Sequence, residues 1–104
     1  MITNRRIYQG KPGTAVTIVA MLKEYQELAS KLVERPPYRI YTDCLSGHTD
    51  RVVLELDIES LGALEKGYQA IANVPEYQQY YKKWKKDFMP LIEGATVEFW
   101  TREV

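Results

Sequence analysis

The chain has 104 residues, and its 14 basic and 14 acidic side chains cancel to a formal net charge of zero. With 45% apolar and 27% charged residues, the composition is ordinary for a single soluble globular domain. A neutral balance gives no broad field for nucleic acid or an anionic membrane, and the single Cys44 excludes an intramolecular disulfide and a cysteine-cluster metal site. No apolar run is long enough to span a bilayer and the N-terminus does not read as a signal peptide, so we expect a cytoplasmic protein.

The first predicted elements are a short strand over residues 5–9 and an amphipathic helix that starts at Ala15. A glycine-containing break over residues 10–13 separates them, and Thr14 is a candidate N-cap. Pro36-Pro37 ends the helix. The apolar positions follow the three- and four-residue spacing of a helix face: Val16, Ile18, Val19, Leu22, Tyr25, Ala29 and Leu32.

Residues 38–44 and 51–58 form two predicted strands of an antiparallel hairpin, joined by a turn-rich segment. The second strand alternates apolar and polar residues, which is typical of a strand with one packed face and one more polar face. By period two, Cys44 shares the face of Ile40, and we expect it to behave as a small buried hydrophobe. The only histidine, His48, lies in the turn and is expected to be exposed.

The second half of the chain predicts an interrupted helix and a closing strand. Ser60 is a candidate N-cap, and the first helical stretch carries Leu61, Leu64, Tyr68 and Ile71 at helical spacing. Residues 73–75 interrupt it, a second stretch runs over residues 76–89, and residues 96–101 form the last strand. The second stretch places its aromatic residues on one side: Tyr77, Tyr81, Trp84 and Phe88.

This element order predicts a single α+β domain over residues 1–104, a ferredoxin-like four-stranded antiparallel sheet with helices on one face. We expect the packed face to carry Ile40, Val52, Leu54, Leu56, Ile58, Val97 and Phe99. Alternation assigns to the opposite face Tyr8, Arg39, Tyr41, Asp43, Val53, Glu55, Asp57, Glu98 and Trp100. A face that mixes aromatic rings with charges of both signs suits a second copy, so we expect a homodimer that buries Arg39, Tyr41, Glu55 and Trp100.

This layout resembles the dimeric α/β-barrel superfamily, which includes antibiotic-biosynthesis-type monooxygenases and the NIPSNAP family. The resemblance rests on the strand Arg5-Arg6-Ile7-Tyr8, the following glycine turn and long helix, the hairpin, Val74-Pro75-Glu76-Tyr77 and the closing strand from Gly94 to Trp100. It covers nearly the whole chain, and NIPSNAP is the closer match. It implies a dimeric barrel with a ligand cavity between helices and sheet, lined by Tyr8, Tyr25, Tyr68, Tyr77, Tyr81 and Trp84. It implies no cofactor and no assigned reaction.

Two functions stay open. The first is a module that binds a small apolar or aromatic molecule or a protein partner, and the second is a cofactor-independent monooxygenase-like enzyme acting on a small aromatic substrate. The monooxygenase relatives commonly use an asparagine on the first strand, a tryptophan and a helix histidine. Asn4 and Trp84 or Trp100 match the first two, but the corresponding helix has no histidine.

Other charged groups have plainer interpretations. Glu55, Asp57 and Glu98 are expected to be interfacial or solvated charges, although a clustered carboxylate with a raised pKa would be a candidate base. The lysines that flank Trp84 are expected to be a solvated face, with no nucleic-acid binding. No set of converging ligands predicts a metal site.

Overall fold

The computed structural model describes residues 1–104 and confirms the predicted ferredoxin-like α+β fold. The elements are β1 (Ile2–Gly10), α1 (Ala15–Leu32), β2 (Tyr38–Thr42), β3 (Arg51–Ile58), α2 (Leu61–Ala72), α3 (Pro75–Phe88) and β4 (Ile92–Thr101), with a short 3-10 helix at Met89–Leu91. The four strands form one antiparallel sheet in the order β2-β3-β1-β4. β1 and β3 are therefore central, and β2 and β4 are edge strands.

Strand register decides which side chains share a face, because residues paired across strands point the same way. Arg6 pairs with Leu54 and Val97, whereas its neighbour Arg5 pairs with Glu55 and Glu98. We call the side covered by the helices the helix face and the other side the open face. Tyr8 pairs with Val52 and so lies on the helix face. Its assignment to the opposite face was wrong, because the first strand carries polar residues on both sides and alternation alone could not orient it.

The core lies between the helix face and the helices. Ile18 and Leu22 of α1 pack with Val52 and Leu54 of β3, and Phe88 of α3 completes the cluster. Each of these residues is almost fully buried. Burial of a large apolar side chain stabilises a fold by about 1.5–3 kcal/mol, so this cluster fixes the position of α1 and α3 on the sheet.

The edge strand β4 is less covered than the sequence predicts. Val97 and Phe99 lie on the helix face as expected, yet they are 50% and 49% exposed. The prediction that they meet the helices was wrong, because the helices pack over β3 rather than over this edge of the sheet. The edge strand therefore presents apolar surface on the helix face as well as Trp100 on the open face.

The hairpin loop supplies the cap of α1. Thr14 makes no side-chain cap, and the Asp50 carboxylate instead accepts hydrogen bonds from the backbone amides of Gly13 and Ala15 at 3.0 and 2.9 Å. These amide bonds hold the pKa of Asp50 below its usual range. Asp50 has φ of +61°, a conformation that aspartate tolerates better than most residues.

Three other local features follow from the chain. Ser60 caps α2 as predicted, accepting from the amide of Ala63 at 3.1 Å. Pro75 is the first residue of α3, where a helix needs no backbone N–H from it. A proline at this position starts a new helix, which explains why α2 and α3 are separate. β2 ends at Thr42, so Cys44 lies in the exposed loop, and its expected burial was wrong.

Candidate functional site

A cavity of about 830 Å³, partly open to solvent, lies between the helices and the helix face of the sheet. This volume falls within the usual range for small-molecule sites, about 300–1,000 Å³. Of its 23 lining residues, 15 are hydrophobic, so the space suits a mainly apolar molecule. Its wall comes from α1, α2, α3, the two central strands and the start of β4.

One side of the cavity is an aromatic wall formed by Tyr77, Tyr81, Trp84 and Phe88 of α3. Successive rings stack nearly parallel, with centroids 5.4, 6.0 and 4.4 Å apart. The residues recur at spacings of four, three and four, which places them along one side of the helix. The Trp84 indole nitrogen donates to the carbonyl of Met21 at 3.0 Å and holds the wall against α1.

Tyr25 of α1 closes this wall edge-on. Its ring meets Tyr77 at 79° with centroids 5.9 Å apart, and the two hydroxyls lie 2.7 Å from each other. Burial, followed by the hydrogen bond to Tyr77, raises the pKa of Tyr25 well above its usual value. Burial also raises the pKa of Tyr77. Both hydroxyls are therefore neutral donors and acceptors at physiological pH.

The opposite wall carries a guanidinium that the sequence interpretation did not single out. Arg6 of β1 donates a hydrogen bond to the Tyr68 hydroxyl of α2, and its Cζ lies 5.8 Å from the centroid of that ring. Tyr8 lies beside it, with its ring 5.2 Å from that of Phe88. Burial raises the pKa of Tyr8, although Arg6 acts in the opposite direction. The cavity thus combines an aromatic wall with a cationic one.

A second arginine was also missed. Arg35, which follows α1, lines the cavity and donates to the side-chain oxygen of Gln26 at 3.3 Å. Gln26 is 2% exposed and lies one turn after Leu22 in the buried stripe of α1. A polar residue within an apolar stripe was the sequence signal for this contact, because a buried amide requires a partner.

All six residues predicted to bind a ligand line this one cavity: Tyr8, Tyr25, Tyr68, Tyr77, Tyr81 and Trp84. Ligand binding by them stays a prediction. The stripe from Tyr77 to Phe88 packs inward, and the flanking lysines at positions 82, 83, 85 and 86 are exposed, as expected. Lys82 and Lys85 lie at the rim of the cavity.

The residues that match the monooxygenase pattern are not brought together. Asn4 is fully buried outside the cavity lining, and its side-chain amide donates to the carbonyl of Glu98 at 3.3 Å. Trp84 lines the cavity, but Trp100 lies on the open face. His48 is exposed in the hairpin loop. No group of three or more His, Cys, Asp or Glu side chains is placed to hold a metal ion.

The open face carries the four residues predicted to meet a second copy. Arg39 forms a forked ion pair with Asp57, with a closest distance of 2.7 Å, and contacts Glu55 at 3.2 Å. Glu55 also pairs with Arg5 at 2.9 Å. The Arg39 guanidinium lowers the pKa of Asp57, and Asp57 in turn raises the pKa of Arg39. Tyr41 and Trp100 flank this charge network and are 48% and 55% exposed.

Fold and cavity together define a ferredoxin-like domain with an aromatic cavity between its helices and its sheet. Similar solved structures include an uncharacterised NIPSNAP domain protein from Burkholderia xenovorans, with a TM-score of 0.77, 15% identity and coverage of 98% of this chain and 94% of that one. A NIPSNAP family protein from Agrobacterium tumefaciens gives a TM-score of 0.73 at 15% identity, covering 96% and 90%.

A putative antibiotic biosynthesis monooxygenase from Bordetella bronchiseptica has a TM-score of 0.67 at 12% identity, covering 99% of this chain and 97% of that one. These likenesses confirm, at the level of the fold, the resemblance that the sequence predicts. No protein-family model and no curated protein matches the chain. None of the helices has the length and apolar character needed to cross a membrane.

Proposed function

We propose that this protein is a small-ligand-binding domain whose site is the aromatic cavity. The observation that best supports this function is the open volume of the cavity. Tyr25 packs against the wall of α3, yet the lining residues together still leave a space of about 830 Å³, which is large enough for a two- or three-ring molecule. The stacked rings offer flat apolar surface, and the tyrosine hydroxyls with Arg6 offer a few polar contacts that would orient a ligand.

The test is a fluorescence titration with N-phenyl-1-naphthylamine, a neutral aromatic probe that brightens in apolar sites. We expect saturable binding with one site per chain. Ala95→Trp places a bulky ring at the cavity wall and should abolish binding. Ala20→Trp, at an exposed position of α1 outside the cavity, is the matched control and should bind normally. Equal binding by both variants would contradict the assignment to this cavity.

We also propose that the partner on the open face is a second copy of the chain. The argument is the pair of aromatic rings, Tyr41 and Trp100, that are about half exposed on this face beside ion pairs already formed within the chain, because a second identical face would cover these rings without leaving a charge unpaired. Native mass spectrometry of freshly purified protein would report the number of subunits and any retained small molecule together. A dimer is expected, and a monomer at micromolar concentration would overturn this part of the proposal.

Variants locate the interface. Trp100→Lys should shift the mass toward the monomer, because it places a charge where an aromatic ring would be buried. Leu45→Lys is the matched control, since Leu45 is 95% exposed in the hairpin loop away from the sheet. If Trp100→Lys remains a dimer and Leu45→Lys becomes a monomer, the interface does not lie on the open face.

A second candidate function uses the same cavity. The polar groups at its wall are what a cofactor-independent monooxygenase-like enzyme acting on a small aromatic substrate would need. The buried Asn4 and the distant His48 do not supply the residues that the monooxygenase relatives use, so ligand binding is the function better supported. Oxygen uptake in the presence of a dihydroxynaphthalene would distinguish the two, because binding alone consumes no oxygen.

A further inference from the structure

Two guanidinium groups line the cavity without a carboxylate partner. The ion pairs of the chain involve Arg5, Arg39 and Arg51, none of which lines it. Arg6 is bonded to the neutral Tyr68 and Arg35 to the neutral Gln26, and the Nε of Arg35 is buried without any partner. An arginine keeps its charge in proteins, so a partly buried guanidinium without a counter-charge is costly unless an anion joins it.

The charged side chains around the cavity are mostly positive. Its lining contains four cationic side chains, Arg6, Arg35, Lys82 and Lys85, and one carboxylate, Glu93. Glu93 and the two lysines are exposed at the rim, where solvent screens them, whereas Arg6 is half-buried beside Tyr8 and Tyr68. The chain as a whole is neutral, so this excess is local to the cavity.

The Arg6–Tyr68 contact leaves further donor groups on two residues that line the cavity. The Tyr68 hydroxyl accepts from Arg6 and has no other side-chain or backbone partner, so its own proton is free to donate. The guanidinium also has further N–H groups in a fork that matches two oxygens of an acid group. An acidic oxygen placed here would receive donors from β1 and α2 together, while its ring met the aromatic wall of α3.

We propose that the cavity is selective for aromatic anions, molecules whose planar rings lie against the Tyr77–Trp84 wall and whose carboxylate or other acidic oxygen group is bound by Arg6 and Tyr68. This inference rests on the proposed ligand-binding function and specifies its ligand class. Arg35 and the rim lysines add attraction without direct contact to the acid group.

The experiment compares two probes that share all their rings. 8-Anilinonaphthalene-1-sulfonate carries a sulfonate, and N-phenyl-1-naphthylamine is the same molecule without it. Fluorescence titration in 0.5 M salt, which screens the exposed lysines, should give about tenfold or greater preference for the anion. An excess of the neutral probe should displace the anion, since both would occupy the same cavity.

Substitutions assign the preference to its residues. Arg6→Gln should lower affinity for the anion about tenfold and leave the neutral probe within about twofold. Tyr68→Phe keeps the ring, removes the hydroxyl and should reduce the preference by about threefold or more, which provides a second test if Arg6→Gln folds poorly. Arg102→Gln removes the same charge from an exposed site after β4 and should leave the preference unchanged.

The outcomes separate the two proposals. If neither probe binds, the ligand-binding function fails and this inference fails with it. If both probes bind with equal affinity in the natural chain, ligand binding stands and selection of anions is overturned. If the preference for the anion survives both Arg6→Gln and Tyr68→Phe, the assignment to these residues is overturned. Loss of preference in those two variants alone would support the inference.

Discussion

The hydroxyls of Tyr25 and Tyr77 lie 2.7 Å apart and join α1 to α3 at the wall of the cavity. Both residues are partly buried, so neither hydroxyl could be left unpaired without a cost in desolvation. The contact therefore serves two ends. It ties together two helices that the sheet supports separately, and it fixes the positions of two rings in the cavity wall.

The first prediction concerns this pair. Tyr25→Phe and Tyr77→Phe should each lower the free energy of unfolding by about 0.5–1.5 kcal/mol, because each removes the hydrogen bond and retains the ring. The double variant should cost less than the sum of the two, since the bond can be lost only once. Urea unfolding of the four proteins gives this double-mutant cycle. Strictly additive losses would show that the two hydroxyls do not interact in solution.

Alkaline pH should destabilise the fold. The pKa of Tyr25 is raised in the folded chain, chiefly by burial, above the value of about 10 expected when unfolded. The folded state therefore holds more protons above that pH, so this contribution to stability is complete below about pH 10 and is lost as the pH rises further. Unfolding midpoints measured from pH 8 to 11 should fall at the alkaline end, and less steeply in Tyr25→Phe. An identical pH dependence in the two proteins would contradict the assignment.

Much of the fold followed from periodicity. The bounds of β3 agree with the predicted strand, and α1 starts and ends where its apolar spacing does, because one packed face leaves a clear period of 2 or 3.6. The first strand lacked this signal. Arg5 and Arg6 are adjacent and equally polar, and only pairing with β3 shows that the first belongs to the open face and the second to the cavity.

The sequence predicted the aromatic residues of the candidate site but not its two arginines. Rings at helical spacing, such as Tyr77 and Trp84, reveal a shared side of a helix directly from sequence. Arg6 and Arg35 reach the cavity from β1 and from the segment after α1, so their placement depends on contacts between residues distant in the chain. No local pattern distinguishes such an arginine from one that is solvated.

Close packing at the end of β1 gives a third prediction. A Cβ added to Gly10 would lie 2.5 Å from the Thr14 hydroxyl and 2.7 Å from both the Asp50 carbonyl and Ile18. Gly10→Ala should therefore cost about 1–3 kcal/mol of stability, because the neighbouring backbone must move. Gly94→Ala, on the adjacent strand, meets nothing within 4 Å and should stay within about 0.5 kcal/mol of the natural chain. Equal losses in thermal or urea unfolding would mean that this contact is not close in solution.

The charge network of the open face gives the last prediction. The side chain of Glu55 is 11% exposed and contacts Arg5 at 2.9 Å and Arg39 at 3.2 Å. Glu55→Gln should preserve the fold and the dimer but lower the stability by about 1–2 kcal/mol, because one carboxylate serves two guanidinium groups.

Glu98→Gln is the matched control for this substitution. Glu98 is 3.7 Å from Arg5 with its side chain 38% exposed, so its loss should change stability by less than about 0.5 kcal/mol. Urea unfolding at low and high salt, with circular dichroism to confirm the fold and light scattering to count subunits, measures both variants. If Glu98→Gln proves as costly as Glu55→Gln, the network is governed by total charge and not by the two close contacts of Glu55. If Glu55→Gln is unfolded or monomeric, that carboxylate is required for the fold or for assembly.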